Sequence, residues 1–127
     1  LSHSIRDVDE VIQHILSSHE ADSKLEIGAR EAAEKFRKKE IRLLDVRTEE
    51  EWQLAHIEGA QLVNEQVGQE IMTQWAKDTP MVLHCHHGIR SLDAVSFLIG
   101  HGFTNVRSMI GGIDAWSLDV DQAVPRY

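Results

Sequence analysis

Five short apolar runs punctuate the chain, separated by segments with helical spacing, and this alternation limits the possible folds more than any other feature. The runs are Leu25 to Ile27, Ile41-Arg42-Leu43-Leu44-Asp45-Val46, Gln61-Leu62-Val63, Met81-Val82-Leu83 and Val106 to Ile110. Each has the length and composition of a buried strand. Between them the spacing predicts a helix from about Ala29 to Lys39 and a short one started by the capping box Thr48 and Glu51. A third carries Val67, Ile71 and Trp75 at four-residue intervals, and a fourth runs from Ser91 to about Ile99 with Leu92, Val95, Leu98 and Ile99 on one face. Gly59 and Pro80 break the chain before strands, and Gly100 and Gly102 close the fourth helix. Strands alternating with helices imply an α/β fold: a mostly parallel sheet of about five strands with helices on both faces. Ligands then gather at the carboxyl ends of the strands.

With prolines only at 80 and 125 and no linker or repeat, one main domain is expected, from residue 23 to 127. Ahead of it, Ile5, Val8, Val11, Ile12, Ile15 and Leu16 follow helical spacing behind Ser4 and Asp7, so residues 1–22 read as an N-terminal helical extension. Such a helix packs on the domain or serves a dimer or interdomain contact. The chain opens with Leu, which leaves an additional upstream domain open. Thirteen basic against 21 acidic residues give a net charge of −8, a field that repels nucleic acid and anionic lipid. A site for an anion must therefore work through local donors. No apolar run approaches the ~18 residues of a membrane span, and the start lacks a signal pattern, so a soluble, cytoplasmic protein is expected. The basic run Arg37-Lys38-Lys39 closes a helix, where cations complement the dipole.

A single cysteine forms no internal disulfide, so its thiol is free for chemistry. Cys85 sits in Leu83-His84-Cys85-His86-His87-Gly88-Ile89-Arg90-Ser91, after a buried strand and before a helix. Backbone N–H groups of a tight loop and the positive end of the following helix dipole both favour thiolate over thiol, and the thiolate is the nucleophile. Gly88 lets the loop curl, and Arg90 supplies a permanent positive charge. An isolated cysteine reads as a small buried hydrophobe. The glycine, arginine and helix start that follow this one have no place in that account.

The loop Cys85 to Ser91 resembles the active-site loop of rhodanese-homology domains. Leu44-Asp45-Val46-Arg47, Glu51-Trp52 with His56-Ile57-Glu58-Gly59-Ala60, Gly111-Gly112-Ile113-Asp114-Ala115-Trp116 and Val124-Pro125-Arg126-Tyr127 resemble further motifs of that family, in order. The resemblance spans about Leu25 to Tyr127. It implies that Cys85 attacks the outer sulfur of a donor, holds it as a persulfide, and passes it to a thiol or another nucleophilic acceptor, with no cofactor. His86, His87, Gly88, Ile89 and Arg90 would form the substrate cradle, with Asp45 and Arg47 in support as an ion pair at the strand end. Arg90 either faces the anion or anchors the loop through a carboxylate such as Asp45 or Glu51, and the anchor is the preferred role.

In phosphatases and arsenate reductases that share this fold, arginine falls six positions after cysteine. Here it falls five after, and the smaller ring suits one sulfur rather than a phosphoryl group. A non-catalytic module for partner binding or redox sensing is the reading of a different class. The family often has a basic residue where this chain has His86, so thiosulfate has no advantage over polysulfide or a persulfide as donor. A metal on His84, Cys85, His86 and His87 is disfavoured, because consecutive residues rarely converge on one ion. His84 is then a core or supporting residue, His56 is structural, and Trp52, Trp75 and Trp116 are core anchors.

Overall fold

The computed structural model describes residues 25–127. The N-terminal helical extension expected over residues 1–22 lies outside the described residues. In chain order the elements are β1 (Glu26–Ile27), α1 (Ala29–Arg37), β2 (Arg42–Asp45), α2 (Glu49–Leu54), β3 (Gln61–Leu62) and α3 (Glu65–Gln74). Then follow β4 (Met81–His84), α4 (Ile89–Gly100), β5 (Val106–Met109) and α5 (Gly112–Asp119). The strands make one sheet in the order β1-β5-β4-β2-β3, and every pairing is parallel. The expected α/β architecture holds, with all five apolar runs in the sheet.

Alternation along the central strands sends side chains into two separate cores. Leu43 and Val82 point to one face, where Ala29, Ala32 and Ala33 of α1 and Ile113 and Trp116 of α5 cover them. Leu44, Met81 and Leu83 point to the other, against Ile71 of α3 and Val95 and Leu98 of α4. Both faces being covered, β4 has no solvent side and all four of its residues are buried. The small alanines of α1 let it lie close to the sheet and to α5.

Of the three tryptophans, only Trp116 is buried as expected. Trp52 and Trp75 are half-buried at the rims of the two cores. The reason is local. α2 buries none of its own residues, so Trp52 lies along the margin and stacks on His56 at 4.1 Å. Trp75 caps α3 and receives the Arg42 guanidinium at 3.9 Å from its ring centre.

From β2 the chain passes through α2 to the sheet edge at β3, whereas from β4 it passes through α4 to β5 on the other side. The loops after β2 and β4 therefore diverge, and a crevice opens at the carboxyl ends of these two neighbours. Asp45 and His84 end the strands side by side in register. Asp45 is fully buried and is neutralised by Arg47, whose Nη2 approaches Oδ2 at 2.7 Å. Removing one partner from a buried pair leaves an uncompensated charge. Arg47→Met should cost about 3–5 kcal/mol, with part of that recovered in the Asp45→Asn/Arg47→Met double variant, as read from urea unfolding midpoints. A loss below about 1 kcal/mol would show that the pair does not hold the strand ends.

Candidate active site

Cys85 directly follows β4, so a fully buried strand fixes where the thiol begins. The chain then curls through Gly88 at φ +103°, a conformation that L side chains avoid. A Cβ at Gly88 would also press on Gly111 N at 3.1 Å and Met109 O at 3.3 Å. The curl turns amides inward. The Gly88 N–H donates to Cys85 Sγ at 3.0 Å and the Ser91 N–H at 3.4 Å, with Ser91 Oγ also 3.4 Å away. Behind Ser91 stands Ser108 of β5, its hydroxyl 2.7 Å from that of Ser91, and both serines are buried.

These contacts decide the ionisation of the thiol. Burial pushes the Cys85 thiol up, but the Ser91 hydroxyl and the N–H groups of Ser91, Gly88 and His87 together outweigh it and bring the thiol below its ordinary value. More thiolate is present near neutrality as a result. The N-terminal turn of α4 adds its dipole in the same direction.

Arg90 commits both terminal nitrogens to Glu51, Nη1 to Oε1 at 2.7 Å and Nη2 to Oε2 at 2.9 Å. This is the geometry of the anchor, and the carboxylate is Glu51 rather than Asp45. Glu51 also accepts from the Tyr127 hydroxyl at 2.7 Å and, within the predicted capping box, from Thr48. The Arg90 hydrogen bonds, against some burial and helped by Tyr127 and Thr48, hold its carboxyl far below the usual carboxylate range. The anchor therefore stays charged throughout the pH range in which the thiol ionises.

Asp45 and Arg47 form the expected ion pair, with Arg47 Nε donating to Oδ1 at 3.0 Å and Nη2 to Oδ2 at 2.7 Å. Arg47 further donates to the Ala55 carbonyl and to the Tyr127 hydroxyl, both at 2.7 Å. His84 is a core residue. Its Nε2 lies 3.7 Å from Asp45 Oδ2, and burial pushes its pKa down, so the ring is neutral. His86 stacks between His87, at 3.9 Å, and Tyr127, at 4.0 Å and nearly parallel. Ile89 stands on the rim, 75% exposed. His56 is exposed, its Nδ1 2.9 Å from the Trp52 carbonyl, which fits a structural role.

The run of consecutive potential ligands does not converge. His84 enters the core and Cys85 the loop base, while His86 and His87 instead meet Asp114, with ligand atoms within 4.8 Å of one another. Asp114 is already engaged by Arg126, Nε to Oδ1 at 2.7 Å.

With this geometry established, relatives identify its kind. The family model for the Rhodanese-like domain matches residues 28–119. The chain belongs to the rhodanese-like family. It is 35% identical over 95 residues to the thiosulfate sulfurtransferase GlpE of Vibrio cholerae, covering 75% of this chain and 90% of that protein. The GlpE of Pseudoalteromonas translucida is 30% identical, with 79% and 95% covered. Among solved structures, a rhodanese-like domain protein from Staphylococcus aureus superposes with a TM-score of 0.65 at 25% identity, covering 81% of this chain and 98% of that one.

Within this rhodanese-like site, several contributors carried no individual role in the sequence reading. Ser91 closed the loop motif, and Ser108 was one polar residue within an apolar run. Gly111 and Gly112 were a motif without a task. In the fold they press α5 against the loop: the Ile113 N–H donates to the Cys85 carbonyl at 2.8 Å and the Asp114 N–H to that of His86 at 3.2 Å. Gly112 has φ +58°, and a Cβ there would overlap both carbonyl oxygens. Tyr127 links His86, Glu51 and Arg47, and its only signal in the sequence was the final motif.

Because hydrogen bonds to sulfur overcome burial, the pH midpoint for alkylation of Cys85 by iodoacetamide should lie below that of a free cysteine, and Ser91→Ala should move it upward. An unchanged midpoint in a folded Ser91→Ala protein would assign the whole effect to the amides.

Proposed function

We propose that this protein is a sulfurtransferase that moves sulfane sulfur from a donor to a thiol or other nucleophilic acceptor through a persulfide on Cys85. The observation that carries the reading is the convergence of Gly88 N–H, Ser91 N–H and Ser91 Oγ on a single atom, Sγ, within 3.4 Å. Three groups around one sulfur stabilise the thiolate that attacks the donor and that leaves again when the acceptor takes the sulfur. In the first step the thiolate attacks the outer sulfur of the donor. A Cys85 S–S bond forms, the donor's own bond to that sulfur breaks, and the leaving group departs with the electron pair. An acceptor thiolate then attacks the outer sulfur, and Cys85 leaves as thiolate.

Two further features support this reading. The relatives GlpE carry the name thiosulfate sulfurtransferase. Arg90 follows Cys85 by five positions, so the ring is small, and its arginine is held by Glu51. A module that only binds a partner has no need of a thiol stabilised as its anion. In the proposed assignment Cys85 is the nucleophile and the backbone of His86 to Ile89 the cradle. Arg90 positions the loop, and Asp45 with Arg47 supports it.

Incubation with a sulfane-sulfur donor should add one sulfur, removable by reductant, to the wild type and none to Cys85→Ala, as read by intact-protein mass. An adduct that persists on the alanine variant would remove Cys85 from the mechanism. A glycine inserted between Gly88 and Ile89 should leave the fold intact and lower sulfur transfer by about tenfold or more, because the amides no longer meet at Sγ. Full activity in a folded insertion variant would show that ring size does not matter.

A further inference from the structure

The charges around the loop narrow the donor beyond the sulfur-transfer reading, on which this inference rests. Three arginines approach the loop or its supports, and each ends on a carboxylate: Arg47 on Asp45, Arg90 on Glu51 and Arg126 on Asp114. Their six charges cancel. The chain as a whole carries −8. What remains for a negative ligand is the inward-turned set of amides with the Ser91 hydroxyl, a cradle filled by one sulfur atom. On the rim, Ile89 is 75% and Ile110 49% exposed, and they flank the close approach of Gly88 to Gly111.

We propose that the donor this site takes best is a small organic persulfide, R–S–SH, rather than the thiosulfate dianion. The reaction is Cys85–S⁻ + R–S–SH → Cys85–S–SH + R–S⁻. The thiolate attacks the outer sulfur, the donor's S–S bond breaks, the electron pair leaves with R–S⁻, and no net oxidation occurs. In this step, with the donor in its protonated R–S–SH form, the reacting groups carry a single negative charge throughout. With thiosulfate, the thiolate and the dianion together bring three negative charges to a loop whose neighbouring arginines are each matched by a carboxylate. Like charges a few ångströms apart repel, and among the described residues the arginines beside the loop are all paired. To meet the sulfonate, Arg90 would have to leave a bidentate carboxylate that already holds it. The carbon chain of an organic persulfide instead finds two exposed isoleucines at the mouth.

The test loads sulfur onto Cys85 in single turnover, with cysteine persulfide and thiosulfate as the two donors, quenching for intact-protein mass. At low salt the rate constant for cysteine persulfide should exceed that for thiosulfate by about tenfold or more. Raising ionic strength to about 0.5 M should speed thiosulfate by roughly threefold or more and change cysteine persulfide by less than about twofold, because screening relieves only the multiply charged encounter. Asp114→Asn, checked for folding by circular dichroism, releases the Arg126 charge beside the loop. It should raise the thiosulfate constant about threefold at low salt and leave that of the persulfide unchanged. Thiosulfate loading as fast as cysteine persulfide, or slowing as salt is added, overturns the donor assignment while the sulfur-transfer reading stands. Loading by neither donor overturns both.

Discussion

The Glu51 carboxylate joins three parts of the chain that lie far apart in sequence. Through Thr48 it starts α2, through Arg90 it fixes the first turn of α4, and through the Tyr127 hydroxyl it holds the tail. Arg90 and Ser91 are adjacent, so the same contact that pins the guanidinium sets the position from which the Ser91 N–H and hydroxyl reach the sulfur. A cap worth about 1 kcal/mol to a short helix would not need such an investment. The bidentate pair does something else: it fixes α4 relative to the crevice, and with it the direction of the donors.

A second constraint lies beneath the loop. β4 is buried on both faces, so its end cannot shift without disturbing two cores, and Cys85 inherits that rigidity. Charge at the strand ends is admitted only where it is neutralised. Asp45 is neutralised by Arg47, Arg47 is completed by the Ala55 carbonyl and Tyr127, and His84 stays neutral. Gly112 supplies the remaining support, because only a residue without Cβ lets the start of α5 donate to the Cys85 and His86 carbonyls. Strand, loop and α5 thus hold the sulfur from below, behind and beside.

Most of the architecture was legible because it depends on local pattern. The apolar runs gave all five strands, and Thr48 with Glu51 gave the start of α2, since buried strands and capping boxes are encoded within a few residues. The Cys85 loop was legible for the same reason: glycine, arginine and helix start lie within six residues of the thiol. What escaped were contacts made over long separations. Nothing near Tyr127 announces that its ring covers His86, and Ser108 meets Ser91 only because β5 pairs with β4. The tryptophans erred in the opposite direction. Their size suggested anchors, but Trp52 and Trp75 fall at the rims of the two cores and finish half-buried.

Rigidity and charge capture compete for the same residues at this loop. An arginine held by a carboxylate positions the backbone well and attracts anions poorly, whereas a free arginine would do the reverse and leave the loop less ordered. This chain resolves the competition towards order, with Arg90 and Arg126 both paired. Stabilisation of the reacting sulfur then falls to fixed amide dipoles and one hydroxyl, which act over a few ångströms and saturate at a single atom. Such a cradle distinguishes donors less by the sulfur they deliver, which is common to all of them, than by the charge they bring in behind it.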